Sequence, residues 1–151
     1  MEQLIAEESI EIDAPVRVVW ELLTDPDKIK NWSALNIEFK EDSLLEMGSE
    51  FYWKDEKGKT YGKGTIIEFE PEKAIRTSAY FYSWNKSIDP DALTDIYMVS
   101  KRNGKVLLTH TYGDFLQVPG GRELYEEYVR SVTPENRELK KIKAMAEEEV
   151  F

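Results

Sequence analysis

One histidine, His110, occurs in this sequence of 151 residues. It sits in the run Val106-Leu107-Leu108-Thr109-His110-Thr111-Tyr112, which alternates with the period of a strand. Val106, Leu108, His110 and Tyr112 share one face of that strand, taken here as the inward one. An imidazole there has the chemistry of a general acid or base, or of a polar anchor for a ligand, because it exchanges its proton near neutral pH. It has equally the chemistry of a hydrogen-bonded core or rim histidine. The other notable side chains are aromatic. Phe51 and Trp53 share a strand face, Phe69 lies on a later strand, and Tyr80, Phe81, Tyr82 and Trp84 crowd one segment. Aromatic walls with a few hydroxyls suit a planar or apolar ligand, and they suit ordinary core packing as well.

Several chemistries are excluded. With Cys 0 there is no disulfide, thiolate metal site or thiol nucleophile, and with His 1 a zinc site is not expected. Gly58-Lys59-Thr60 imitates the end of a phosphate-binding loop, but Trp53 stands where that motif needs its first glycine. No serine occupies a nucleophile elbow. Lys plus Arg total 20 against 30 for Asp plus Glu, a net charge of -10 that argues against nucleic acid and against an anionic membrane surface. No apolar run approaches the ~20 residues of a membrane span. The N-terminal MEQLIAEES lacks the features of a signal peptide, so a cytoplasmic protein is expected. Neither a cofactor nor a metal is expected.

The elements that must position these side chains read clearly. Ile10 and Ile12 alternate with Glu11 and Asp13 as a first strand. Pro15 opens a helix, with Asp13 and Ala14 just ahead where a cap can form, and Val16, Val19, Trp20 and Leu23 make its apolar face. Thr24-Asp25-Pro26-Asp27 ends that helix and caps a second, which runs through Ile29 toward Trp32. Strands follow near Ile37–Lys40, Ser49–Asp55, Lys59–Glu70, Ala74–Ser83, Thr94–Lys101 and Lys105–Tyr112. Within the fourth of these elements counted from the first strand, Phe69 alternates to the face opposite Ile66. Arg122–Arg130 reads as a short helix. Thr133-Pro134-Glu135 starts a last helix, which carries Leu139, Ile142, Met145 and Ala146 on one face to about Glu149. With nothing after it, that stripe must dock on earlier strands.

The hairpin at Arg102-Asn103-Gly104 has two possible registers. A three-residue loop with Gly104 left-handed places Met98 beside Leu108 and Ile96 near His110. A two-residue Asn103-Gly104 loop places Tyr97 opposite His110 and Asp95 opposite Tyr112, gathering an Asp, two Tyr and a His on one face. The three-residue loop segregates the apolar side chains better and is the expected one.

The stretch Asp13-Ala14-Pro15 with Val19-Trp20, followed by Leu23-Thr24-Asp25-Pro26 and Trp32, resembles the opening of START-like helix-grip proteins, the SRPBCC superfamily. Gly48 to Phe51, Gly64 to Pro71, Val106 to His110 and the closing NRELKKIKAMAEE carry the resemblance over nearly the whole chain. Its nearest branches are the polyketide-cyclase-like proteins and those similar to the activator of the heat-shock-protein-90 ATPase. The resemblance implies one α+β domain over residues 1–151: a curved antiparallel sheet wrapped around a long C-terminal helix, with two short helices after the first strand and a cavity between sheet and helix. Fold alone does not fix the chemistry.

The expected function is therefore binding of a small hydrophobic or aromatic molecule in that cavity. Its lining is expected to be Phe51, Trp53, Phe69, Leu108, His110, Tyr112, Leu139, Ile142 and Ala146. Two alternatives stand beside it. One is an enzyme similar to polyketide cyclases, with His110, Tyr112 and Tyr97 moving protons, joined by Asp95 if the hairpin takes the two-residue register. The other is an interaction module with a chaperone partner, which the resemblance to the ATPase activator implies.

Overall fold

The computed structural model describes residues 2–84, 88–134 and 137–149. Seven strands form one antiparallel sheet: β1 (Ala6–Ile12), β2 (Asn36–Phe39), β3 (Glu50–Lys54), β4 (Thr60–Glu70), β5 (Ala74–Phe81), β6 (Thr94–Arg102) and β7 (Lys105–Gly113). Their spatial order is β1-β7-β6-β5-β4-β3-β2, so the sheet is a meander from β2 to β7 with β1 added at the far edge. Helices α1 (Val16–Thr24) and α2 (Pro26–Trp32) follow β1, and α3 (Gly121–Ser131) and α4 (Glu138–Glu149) follow β7. This is the α+β helix-grip arrangement. Among the described residues no helix is long and apolar enough to cross a membrane.

The joint between α1 and α2 is built from short-range chemistry. Pro15, not Asp13, occupies the cap position of α1, and its carbonyl accepts from the Val18 amide at 3.1 Å. Asp13 is engaged elsewhere: its amide donates to the Glu147 carboxylate at 2.8 Å, which ties the start of α1 to α4. Asp25 caps α2 as its sequence suggests, accepting from the Asp27 amide at 3.0 Å with Pro26 in the first turn. The Trp32 indole then donates to the Leu22 carbonyl at 2.7 Å and fixes the angle between the two helices. Val18 and Leu22 are buried along with Val19, Trp20 and Leu23, so the apolar face of α1 is wider than one stripe.

Two expectations about the sheet are corrected. The β6–β7 hairpin takes the two-residue turn: Arg102 pairs with Lys105, Tyr97 with His110 and Asp95 with Tyr112. Asn103 and Gly104 both have positive φ, 53° and 79°, the geometry whose twist matches antiparallel strands. The apolar segregation that favoured the other register is given up, and Met98 ends 53% exposed opposite Thr109. In β4 the pairing with β5 shifts between Ile66 and Glu68, leaving Ile67 as a bulged residue. The bulge brings Phe69 to the same side as buried Ile66, where its ring meets Trp20 at 5.5 Å.

Helix α4 is shorter than expected, 12 residues from Glu138: Pro134, expected as its first residue, lies in a turn ahead of it, and Glu135 lies outside the described residues. Leu139, Ile142 and Ala146 are fully buried, and α4 packs along β1 and α1. Burying the Leu and Ile side chains is worth about 1.5–3 kcal/mol each. Polar contacts set the register of the helix: Lys143 donates to the Glu11 carbonyl at 2.9 Å, and Arg137 to the Ser9 carbonyl at 3.1 Å and the Glu8 carboxylate at 3.2 Å. Half-exposed pairs of this kind contribute about 0–1 kcal/mol each, so burial holds the helix and the pairs align it.

The start of α3 is fixed by contact. A Cβ at Gly121 would lie 1.6 Å from the Phe115 carbonyl oxygen, and Phe115 is itself fully buried. Gly121→Ala is expected to cost about 3 kcal/mol, the upper end for overpacking. Urea denaturation of the variant against the parent measures it, and a change below 1 kcal/mol would mean the backbone yields freely there.

Candidate functional site

Beneath α1 and α2 the inward face of the sheet leaves a space of about 120 Å³. Its floor is β5, where Ile75, Thr77 and Ala79 point inward, and the short side chains of Thr77 and Ala79 leave the room unfilled. One wall is β3, with Phe51 and Trp53 at 5.8 Å between ring centroids. These rings lie close over β4 because Gly62 and Gly64 face them: a Cβ at Gly64 would meet the Phe51 ring at 2.4 Å. Leu23, Ile29 and Trp32 form the roof. Ile37, Phe39 and Leu45 close the near side, Leu45 being held by its amide donating to the Thr24 carbonyl at 2.8 Å. Leu35, half-exposed, stands at the rim.

The far end is polar. His110, only 4% exposed, projects from β7 between Asp95 of β6 and Tyr128 of α3. Its Nε2 lies 3.4 Å from Asp95 Oδ2, and its Nδ1 lies 3.4 Å from the Tyr128 hydroxyl. In a neutral imidazole one ring nitrogen donates and the other accepts, so donation from Nε2 to the Asp95 carboxylate leaves Nδ1 to accept from the Tyr128 hydroxyl. The Tyr97 ring stacks on the imidazole at 4.3 Å and 19°, a consequence of the two-residue register. Trp32 meets Tyr97 edge-on at 5.9 Å, joining the roof to this stack. Tyr112 sits between Phe115 at 4.7 Å and Tyr128 at 5.0 Å. Glu138, in the first turn of α4, completes the end and accepts from the Ala34 amide at 2.8 Å.

Burial sets the protonation of these groups. It pushes the Tyr97, Tyr112 and Tyr128 phenols well above their ordinary range, with the charges of Asp95 or Glu138 adding to the effect. All three remain hydroxyls at neutral and moderately alkaline pH. Burial likewise raises the Glu138 carboxyl, against the opposing hydrogen bond from Ala34 and the influence of His110. The arrangement can offer hydroxyl donors, accept through two carboxylates, and pass a proton between Tyr128 and His110. Among the described residues no group of three His, Asp or Glu side chains gathers to hold a metal.

Of the side chains expected in the lining, Phe51, Trp53, His110 and Tyr112 border this space. Phe69, Leu108, Leu139, Ile142 and Ala146 do not. Phe69 is turned toward Trp20 by the bulge, and Leu108 is fully buried. The three α4 residues face β1 and α1, so α4 reaches the cavity only through Glu138. Tyr128, Glu138, Ile29 and the β5 residues Ile75, Thr77 and Ala79 border the space without any local sequence signal for it. Asp95 joins the site through the two-residue register, for which the Asn103-Gly104 dipeptide is the signal.

A seven-stranded antiparallel sheet, paired helices after the first strand and a last helix packed beside them define a member of the SRPBCC superfamily. The family model for Activator of Hsp90 ATPase homolog 1-like protein matches residues 13–145, and the chain belongs to that family. No curated protein matches the sequence. Among solved structures, a protein from Nitrosomonas europaea is 21% identical with a TM-score of 0.68, over 97% of this chain and 96% of that one. The Aha1 dimer from Colwellia psychrerythraea is 13% identical with a TM-score of 0.64, over 95% and 96%. DynU16, from the dynemicin biosynthetic locus, is 15% identical with a TM-score of 0.61, over 96% of this chain and 50% of that one. At these identities the likeness carries the fold.

The raised Glu138 carboxyl has a signed consequence. Between its ordinary carboxylate value and its higher folded value, the folded protein holds the proton more tightly than the unfolded chain. Its contribution to stability is therefore present below the ordinary value and is lost as pH rises through the folded one. Glu138→Gln keeps the acceptor for Ala34 and removes the titration. The variant is expected to gain stability relative to the parent between pH 4 and pH 7, read by urea denaturation across that window. A flat difference would show that burial does not set this group.

Proposed function

We propose that this protein holds a small apolar or aromatic molecule between α2, the inward sheet face and the first turn of α4. The observation that carries the reading is an unfilled space of about 120 Å³ walled by aromatic side chains and closed at one end by polar ones. Ordinary ligand sites span ~300–1,000 Å³, so a drug-sized molecule would not fit inside. An engineered apolar cavity of ~150 Å³ admits benzene. The occupant is accordingly one ring, or the one-ring part of a longer molecule whose remainder leaves past Leu35. Native mass spectrometry and a thermal-shift screen of single-ring aromatics, flavonoids, fatty acids and sterols test this. A melting temperature that climbs with ligand concentration is the expected result. Ala79→Leu puts three more carbons into the floor; it is expected to stay folded and to abolish the shift. A shift that survives in this variant would place the ligand elsewhere.

One observation favours a second reading, an enzyme similar to polyketide cyclases. Asp95, His110 and Tyr128 form a continuous chain from the half-exposed carboxylate to a phenol on the cavity wall. Such a chain suits proton transfer to a bound carbonyl compound, and the fold shared with DynU16 supports it. His110→Ala is expected to lower turnover of a cavity ligand at least a hundredfold, the usual size of one acid–base contribution, while leaving affinity within a fewfold. Unchanged turnover would leave only the binding role. The family's description supports a chaperone contact as well, and pull-down with the chaperone at micromolar concentration tests that.

A further inference from the structure

Two carboxylates and the His110 imidazole form the polar end of the cavity. Asp95 and Glu138 both line it, and no Lys or Arg among the described residues does. The nearby cations are committed elsewhere. Arg137 is held by Glu8 and the Ser9 carbonyl. Lys30 lies over the Phe39 ring at 5.9 Å. Lys141, one turn along α4, acts on Glu138 without lining the space.

Each carboxylate also has an oxygen to spare. Asp95 engages His110 through Oδ2, and Glu138 engages the Ala34 amide through Oε2. Their second oxygens take no hydrogen bond among the described residues. A ligand arriving here meets acceptors with unused lone pairs, in a setting where burial already disfavours further negative charge. A carboxylate or phosphate would add a third negative group and bring no donor. An ammonium would supply donors and the opposite charge. The Trp32 and Tyr97 rings border that end and would pack against the apolar part of such a ligand. The net charge of -10 draws cations toward the protein at long range.

We infer that the cavity selects a small protonated amine carrying one aromatic ring, or an apolar group of that size, and discriminates against organic anions. This rests on the cavity-binding reading above and adds the charge of the ligand. Three near-isosteric probes separate the two: 2-phenylethylamine, 2-phenylethanol and 3-phenylpropionate, titrated at pH 7 and fixed ionic strength against intrinsic tryptophan fluorescence, with calorimetry as the second readout. The amine is expected to bind at least tenfold tighter than the alcohol, and the propionate more weakly than either. Asp95→Asn combined with Glu138→Gln should erase the amine's advantage and leave the affinity for the alcohol in place, with circular dichroism confirming the fold. If the double variant does not fold, the ranking of the three probes on the parent protein decides. Equal binding of amine and alcohol overturns the inference and leaves the cavity reading intact. So does tightest binding of the propionate, or an amine preference that survives both substitutions. Saturation by none of the three at millimolar concentration overturns the inference together with the single-ring cavity reading.

Discussion

Two residues with positive φ, Asn103 and Gly104, decide which side chains of β6 and β7 stand across from one another. A slip of one residue in that hairpin would send every β6 side chain to the other face of the sheet. In the observed register Asp95, Tyr97 and Val99 turn inward, Tyr97 stacks on His110, and the Asp95 carboxylate comes within hydrogen-bond reach of the imidazole. The pairing of Asp95 and Tyr97 with His110 follows from that turn, and Tyr128 of α3 and Glu138 of α4 complete the polar end. The helices then close over an arrangement the hairpin has already made.

The closure is a matter of burial more than of polar contacts. The α1–α2 unit holds its angle through the Trp32 indole and the Asp25 cap, and α4 holds its place through Leu139, Ile142 and Ala146 against β1 and α1. The cavity survives because the floor residues Thr77 and Ala79 are too short to reach the roof. Glu138 lies where these two regimes meet: the stripe Leu139, Ile142 and Ala146 of α4 packs as core, and the residue that begins the helix borders the cavity.

Much of this was legible in the sequence, and the failures have physical causes. Alternation gave the inward set Val106, Leu108, His110 and Tyr112, since a half-buried strand repeats every two residues. The Pro26 start of α2 and its Asp25 cap were readable because capping is local. The hairpin register was misjudged because apolar segregation was weighed above turn geometry, and the twist preference of Asn103-Gly104 prevailed. The bulge at Ile67 left no mark in the alternation, so Phe69 was assigned to the wrong face relative to Ile66. Leu139, Ile142 and Ala146 form a clear stripe, but a stripe says that a helix is buried and not against what. Tyr128 and Glu138 belong to the site through contacts more than a dozen residues away in sequence, which no local pattern encodes.

The bulge in β4 divides the labour of one strand. Before Ile67, the glycines at 62 and 64 lie under the rings of Trp53 and Phe51 on the cavity wall. After it, Phe69 leans on Trp20 in the packing beneath α1. The bulged Ile67 thus acts as a partition, with the ligand chamber on one side and the structural core on the other. A chain built this way can exchange side chains in the chamber over evolutionary time while the core that anchors α1 and α4 stays untouched, so one scaffold can change its guest without being refolded around it.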